Sequence, residues 1–110
     1  KEIYANDISE ASHKLMADNF KLKNLLAKIK ATIQDANVLL RHSKLNHPFD
    51  VVDLDPYGSV VPFLESSLES IKDGGLLCAT CTDTRVLCGP DLHKCYYYYG
   101  TTRAKVHTFQ

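Results

Sequence analysis

The chain has 110 residues, 45% of them hydrophobic and 24% charged, which suits one globular domain with a real core, or part of a larger one. Thirteen basic and thirteen acidic residues cancel, so no global field draws the chain to nucleic acid or membrane; an RNA partner requires a local patch or another domain. No apolar run reaches the length of a membrane span, and Lys1-Glu2-Ile3 does not open a signal peptide.

The first residue is not methionine and a strand pattern begins almost at once, so the chain reads as part of a longer protein. Ile3-Tyr4-Ala5 is a short apolar run that stops at Asn6-Asp7. Ser9 is then an N-cap candidate for a helix with Ile8, Ala11, Leu15 and Phe20 toward one side. An acidic residue closing a strand before a helix holds ribose hydroxyls in nucleotide-binding α/β folds, and equally serves as a cap. Lys21 to Lys30 places lysines among leucines and reads as a solvated helix end or connection. Ile29 to Ile33 alternates with period two, a second strand, and stops at Gln34-Asp35-Ala36-Asn37. Val38 to His42 reads as a short helix, and His42 and His47, lacking partners at metal spacing, are expected on the surface.

Asp50 to Leu54 is the third strand pattern, with Val51, Val52 and Leu54 apolar. Asp55-Pro56-Tyr57-Gly58 follows, and Pro56 cannot continue a ladder. A surface Asp-Pro-x-Gly turn is the plain alternative for these residues. Ser59 is a plausible N-cap for a helix from Val60 to Lys72 that places Val61, Leu64, Leu68 and Ile71 on one face, tolerates Pro62 in its first turn and ends at Gly74-Gly75. Leu76 to Thr80 is a near-continuous apolar run, expected as a strand buried on both faces, with Thr82, Asp83 and Thr84 at its end. This order predicts a parallel sheet wound with crossover helices. Three strands run into an acidic residue, which favours a site over a turn at Asp55.

Cys78, Cys81, Cys88 and Cys95 are separated by two, six and six residues. Zinc ribbons prefer two close pairs, so buried free thiols are expected ahead of a metal site or disulfides, as in an intracellular protein. In the tail, Gly89-Pro90-Asp91 is a turn, and Tyr96-Tyr97-Tyr98-Tyr99 precedes Arg103, Lys105 and His107. Aromatics interleaved with basic residues stack on unpaired bases. Four tyrosines at strand spacing equally cover a hydrophobic edge.

Adenosyl-type cofactors need a carboxylate for the ribose, a polar position near the adenine and a site for the reacting methyl, and Asp7, Asp35 and Asp55 supply these in chain order. The amine of a nucleobase is a poor nucleophile because its lone pair is delocalised into the ring. A carboxylate accepting its hydrogen bonds raises its electron density and receives the departing proton. A neighbouring aromatic fixes the base plane, and a proline stiffens the loop. Asp55, Pro56 and Tyr57 therefore suit amine methylation of a planar base.

Ala5-Asn6-Asp7-Ile8-Ser9, Asp35-Ala36-Asn37, Asp53-Leu54-Asp55-Pro56-Tyr57-Gly58-Ser59 and Thr80-Cys81-Thr82-Asp83-Thr84 together resemble consecutive motifs of the Trm1 family, the tRNA guanine-26 N2-dimethyltransferases. The similarity extends through Leu87-Cys88-Gly89 and Tyr99-Gly100. The resemblance implies an α/β, Rossmann-like S-adenosylmethionine-dependent methyltransferase domain acting on the N2 amine of guanine 26 in tRNA. Carried over by motif, Asp7, Ile8, Asp35 and Ala36 are the cofactor-binding set, Asp7 at the ribose and Asp35 and Ala36 bordering the adenine. Asp55 is the catalytic acceptor, Pro56 and Tyr57 shape the transfer site, and Thr80 to Thr84 line the same edge.

By the same comparison residues 1–110 form the C-terminal portion of the domain, with the first strand and its glycine-rich loop absent. That strand belongs between the strands ending in Asp7 and Asp55, so the sheet is expected to be split at its centre, the chain inactive alone and prone to self-association. The expected partners are tRNA and S-adenosylmethionine, with no membrane, in an intracellular compartment that is nuclear, mitochondrial or cytoplasmic. An amine methyltransferase of another RNA or DNA base, and a non-catalytic Rossmann-like module, are the alternatives.

Overall fold

The computed structural model describes residues 1–101, and the basic tail residues Arg103, Lys105 and His107 lie outside the described residues. Strands and helices alternate as β1 (Ile3–Asp7), α1 (Glu10–Leu22), β2 (Ile29–Ile33), α2 (Ala36–Asn46), β3 (Phe49–Leu54), α3 (Val61–Ser70) and β4 (Ile71–Ala79), followed by the short α4 (Thr84–Leu87) and α5 (Leu92–Tyr99). β1 pairs with β2 in parallel, Ile3 opposite Ile29 through Asp7 opposite Ile33. β3 pairs with β4 in parallel, and Leu54 stands opposite Ala79. The sheet is split as expected: β1-β2 and β3-β4 are separate two-stranded sheets. The rings of Tyr4 and Phe49 meet edge-on at 5.9 Å, with no strand pairing between β1 and β3 among the described residues.

The core lies in the second half. Leu40 of α2 and Val52 and Leu54 of β3 are buried, with Phe49, Phe63, Leu64, Ile71 and Leu77 packed around them. The helix after Ser59 departs from its predicted face. Val61 and Leu68 are exposed, and Ser66, Ser67 and Ser70 are buried instead. These small side chains let α2 and α3 approach. Their hydroxyls stay satisfied: Ser67 Oγ donates to the Phe63 carbonyl at 2.6 Å, Ser70 Oγ to that of Ser67 at 2.9 Å, and Ser66 Oγ to Asn37 Oδ1 of α2 at 2.5 Å. On α1 likewise, Ile8 and Leu15 of the predicted apolar side are exposed, as is Ala11, whereas His13, Met16, Ala17 and Phe20 are half-buried.

Gly74-Gly75 does not end α3. The helix stops at Ser70, and β-branched Ile71 opens β4 directly. The glycines lie in a register jump: Phe49 faces Ile71, yet Val51 faces Leu76. A Cβ on Gly75 would sit 2.3 Å from Ile71 Cγ2 and 2.9 Å from the Asp50 carbonyl oxygen, so the bulge requires a residue without one. Nor is β4 buried on both faces. With β3 as its paired neighbour, Leu76 stays 56% exposed. The short helix read over Val38 to His42 is the middle of the longer α2.

The tyrosine run is helical, not a strand. Asp91 caps α5 by accepting the Lys94 backbone N–H at 3.1 Å, and the helix ends where the Gly100 N–H donates to the Tyr96 carbonyl at 2.8 Å. None of the four cysteines forms a disulfide, and the expected burial holds for Cys95 alone; Cys78 is half-buried and Cys81 and Cys88 are exposed. No group of three or more His, Cys, Asp or Glu side chains among the described residues is placed to hold a metal. No helix among them is long and apolar enough to cross a membrane.

Candidate active site

At the end of the first strand pair, Asp7 closes β1 and its Oδ1 accepts the Ser9 backbone N–H at 2.7 Å. Asp35 repeats the device after β2, as the N-cap of α2, accepting the Asn37 N–H at 2.7 Å. The two strand ends are tied by side chains: Asn6 Nδ2 donates to the Gln34 carbonyl at 3.0 Å, and Thr32 Oγ1 donates to Asn6 Oδ1 at 2.8 Å. The structure thus brings Asp7 and Asp35 to neighbouring ends of parallel strands. Asp35 thereby caps α2, whereas Asp7 stands two residues before Ser9, the N-cap of α1, and holds that residue's N–H. One bond to one oxygen leaves each carboxylate further acceptor capacity, which is what a sugar diol requires. Ile8 is 75% exposed beside Asp7, and Ala36 opens α2 beside Asp35.

At the end of the second pair, the β3-β4 ladder does not stop with the strands. The Thr80 N–H donates to the Leu54 carbonyl at 2.8 Å. Beyond it the Thr82 N–H donates to the Gly58 carbonyl at 3.0 Å, and Thr82 Oγ1 accepts the Gly58 N–H at 3.1 Å. Asp55, Pro56 and Tyr57 are therefore arched between two fastened points. Gly58 has φ 85, a left-handed conformation that closes the arch and disfavours any side chain. Asp55 is exposed, Pro56 half-buried and Tyr57 projects fully into solvent. Ser59 does not cap with ideal spacing, since α3 begins at Val61, but its Oγ accepts the Val61 N–H at 3.2 Å.

Beside the arch is an open cleft of about 450 Å³, whose lining includes Tyr57, Ser59, Phe63, Asp83, Tyr97 and Tyr98. That is the size of a small-molecule site with aromatic walls and few polar groups. The rings of Tyr97 and Tyr98 stand edge-to-face at 5.2 Å. Tyr99 turns the other way: its hydroxyl donates to Asp83 Oδ2 at 2.8 Å and lies 3.8 Å from Cys81 Sγ. Burial, and hydrogen bonds to Asp83 and Cys81, push the Tyr99 phenol up to about 12 against an opposing bond from Ser59. The Cys81 thiol is pulled below its ordinary range, first by the Asp83 backbone N–H and then by Tyr99.

Asp55, Pro56 and Tyr57 thus share one arch, while Asp7, Ile8, Asp35 and Ala36 share the end of the other strand pair. No hydrogen-bonded ladder joins the two sets among the described residues. His42 and His47 are exposed, as read from their spacing. Two contributors had no individual role in the sequence reading: Thr82 stood within Thr80 to Thr84, and Tyr99 entered only through the matched Tyr99-Gly100 pair.

Parallel strands with crossover helices, closed by carboxylates at the strand ends and a proline-stiffened acidic arch, define a Rossmann-like domain of the methyltransferase type. The solved structure of Trm1 from Pyrococcus horikoshii in complex with S-adenosyl-L-methionine superimposes with a TM-score of 0.77 at 30% identity, over 96% of this chain and 32% of that one. The model of the N2,N2-dimethylguanosine tRNA methyltransferase family matches residues 1–109, and the chain belongs to that family. The mouse tRNA (guanine(26)-N(2))-dimethyltransferase is 42% identical over 106 residues, covering 96% of this chain and 16% of the mouse protein. The Saccharomyces cerevisiae mitochondrial tRNA (guanine(26)-N(2))-dimethyltransferase is 39% identical over 102 residues, 91% of this chain and 18% of its own length. The chain therefore spans under a third of each of these relatives.

Proposed function

We propose that these residues form the acceptor side and part of the cofactor side of a tRNA (guanine-26 N2)-methyltransferase. The arch carries this reading. Asp55 and Tyr57 are exposed on one rigid loop, which suits a carboxylate acceptor and a stacking ring for the same base. Guanine presents its N2 amine in the base plane. Tyr57 stacks on one face, and Asp55 accepts from the amine, raises its electron density and takes up the proton released on transfer. Pro56 holds these two groups in fixed relation. S-adenosylmethionine, when bound, supplies an electrophilic methyl. Asp7 receives the ribose hydroxyls, with Ile8 beside it, and Asp35 and Ala36 border the adenine. The domain assignment follows: residues 1–110 are the C-terminal portion of the methyltransferase domain.

The action is placed inside the cell, where tRNA is processed, and the mitochondrial designation of the yeast relative supports an organellar site for some members. Among the described residues each strand pairs only within its own two-stranded sheet, which supports self-association when the chain is alone. The decisive experiment is Asp55→Ala in the intact protein, assayed with tRNA and radiolabelled S-adenosylmethionine. Methyl transfer is expected to be abolished while cofactor binding, by titration calorimetry, persists. Unchanged transfer removes Asp55 from the mechanism and favours a non-catalytic module.

A further inference from the structure

The cleft beside the arch has walls from three parts of the chain: Tyr57 and Phe63 from the arch and α3, Asp83 from the exit of β4, and Tyr97 and Tyr98 from α5. The first two are fixed by ladder bonds. α5 is not in the sheet and has eight residues, with Cys95 buried at 2% exposure as its inner anchor. Where the α5 tyrosines stand relative to Tyr57 therefore depends on what fastens the C-terminal end of that helix. Tyr99 is the last helical residue, and its hydroxyl reaches back to Asp83 Oδ2 at 2.8 Å and lies 3.8 Å from Cys81 Sγ. Asp83 directly follows Thr82, which clamps Gly58. One phenol thus ties α5 to the segment that carries the Thr82 clamp. A bond from a neutral hydroxyl to a carboxylate is of the stronger, charge-assisted kind.

We propose that Tyr99 is a positioning residue for methyl transfer, fastening α5 to Asp83 and so setting the spacing between the α5 tyrosines and Tyr57 in the aromatic cleft. The proposal rests on the function proposed above, with the planar acceptor base entering from this cleft. Tyr99 itself need not touch the base. Its contribution acts on the rate with bound substrates, and not on the cofactor, whose carboxylates sit on the other strand pair.

The test uses the intact protein with Tyr99→Phe, Asp83→Asn and the double variant, measuring single-turnover methyl transfer to tRNA, KM for tRNA and the dissociation constant for S-adenosylmethionine. Tyr99→Phe keeps the ring and removes the hydroxyl, and is expected to lower the transfer rate roughly ten- to a hundredfold, the scale of ångström-level misplacement. Cofactor affinity is expected to stay within about twofold, and the double variant to be no slower than the worse single one, because both changes break one contact. Wild-type rates in Tyr99→Phe, additive losses in the double variant, or cofactor affinity falling in step with rate each overturn the proposal. A wild-type protein inactive on tRNA guanine overturns the functional reading as well, whereas an active wild type with an unaffected Tyr99→Phe overturns this inference alone.

Discussion

Replacing Thr82 by valine tests the arch directly. Valine keeps the branched shape and the backbone bond from residue 82 to the Gly58 carbonyl, and removes the Oγ1 that accepts the Gly58 N–H at 3.1 Å. Gly58 is half-buried, so water can partly replace the lost acceptor. The expected loss of stability is about 1 kcal/mol, the middle of the range for one intramolecular hydrogen bond. Thr82→Ser, which retains the acceptor, is expected within about 0.5 kcal/mol of wild type. The larger effect falls on rate. Asp55 and Tyr57 lie between this clamp and the Leu54–Thr80 bond, so loosening one end moves both groups together. A displacement below an ångström corresponds to roughly a tenfold loss in methyl transfer. Urea unfolding reads the first quantity, and single-turnover transfer by the intact protein reads the second. Wild-type transfer by Thr82→Val, with the stability loss present, would refute the idea that the clamp holds the reacting geometry.

Leu54→Ala, at 7% exposure and one residue before Asp55, is expected to lose about 2–5 kcal/mol. Leu76→Ala, at 56% exposure, is expected to lose less than about 1 kcal/mol; equal urea midpoints would contradict the placement of the core. The Tyr99 phenol is raised in the folded state from 10.0 to about 12, so its stabilising effect is fully present below pH 10 and is lost as pH climbs to about 12. The melting-temperature difference between wild type and Tyr99→Phe should be flat below pH 10 and shrink between pH 10 and about 12; a difference that grows would reverse the assignment. The 110-residue chain alone is expected to sediment as oligomers and to bind S-adenosylmethionine weakly or not at all. A clean folded monomer with micromolar binding by calorimetry would contradict both expectations.

Much of this architecture was legible because each strand announces its own end. Asp7 and Asp35 follow β-branched or alternating runs and precede residues with free N–H groups, and their carboxylates cap those groups in the structure. β2 runs from Ile29 to Ile33 as read, although its burial does not alternate to the end: Thr32 is half-buried and Ile33 exposed. The failures arise where side-chain size outweighs hydrophobicity. α3 packs through Ser66, Ser67 and Ser70, which no apolar periodicity reveals, because close helix approach rewards small residues whose hydroxyls bond within their own helix. Gly74-Gly75 mimics a helix C-cap and instead permits a bulge against the Asp50 carbonyl, a contact with a residue far away in the chain. Tyr96 to Tyr99 reads as strand from β-propensity, but Asp91 and Gly100 at its two ends impose a helix. Asp55-Pro56-Tyr57-Gly58 was visible as a loop. Its fastening by Thr82 was not, since 24 residues separate Thr82 from Gly58.

The split between the strand pairs is also a division in local stability. Among the described residues, β3, α2 and α3 hold every buried residue except Cys95, whereas β1, α1 and β2 contain none. Amide hydrogens of the first half are expected to exchange through small, frequent openings, and those around Leu40, Val52 and Leu54 through rarer, larger ones. Under the proposed function, the carboxylates for the cofactor ride on the half that opens easily, and the acceptor arch on the half that does not. A ligand that binds the closed form of such a half lends it stability in proportion to ln(1 + [L]/Kd). Cofactor occupancy would then be recorded as slowed exchange in β1 and β2, with β3 and β4 unchanged, making the exchange pattern a map of which strand pair the ligand completes.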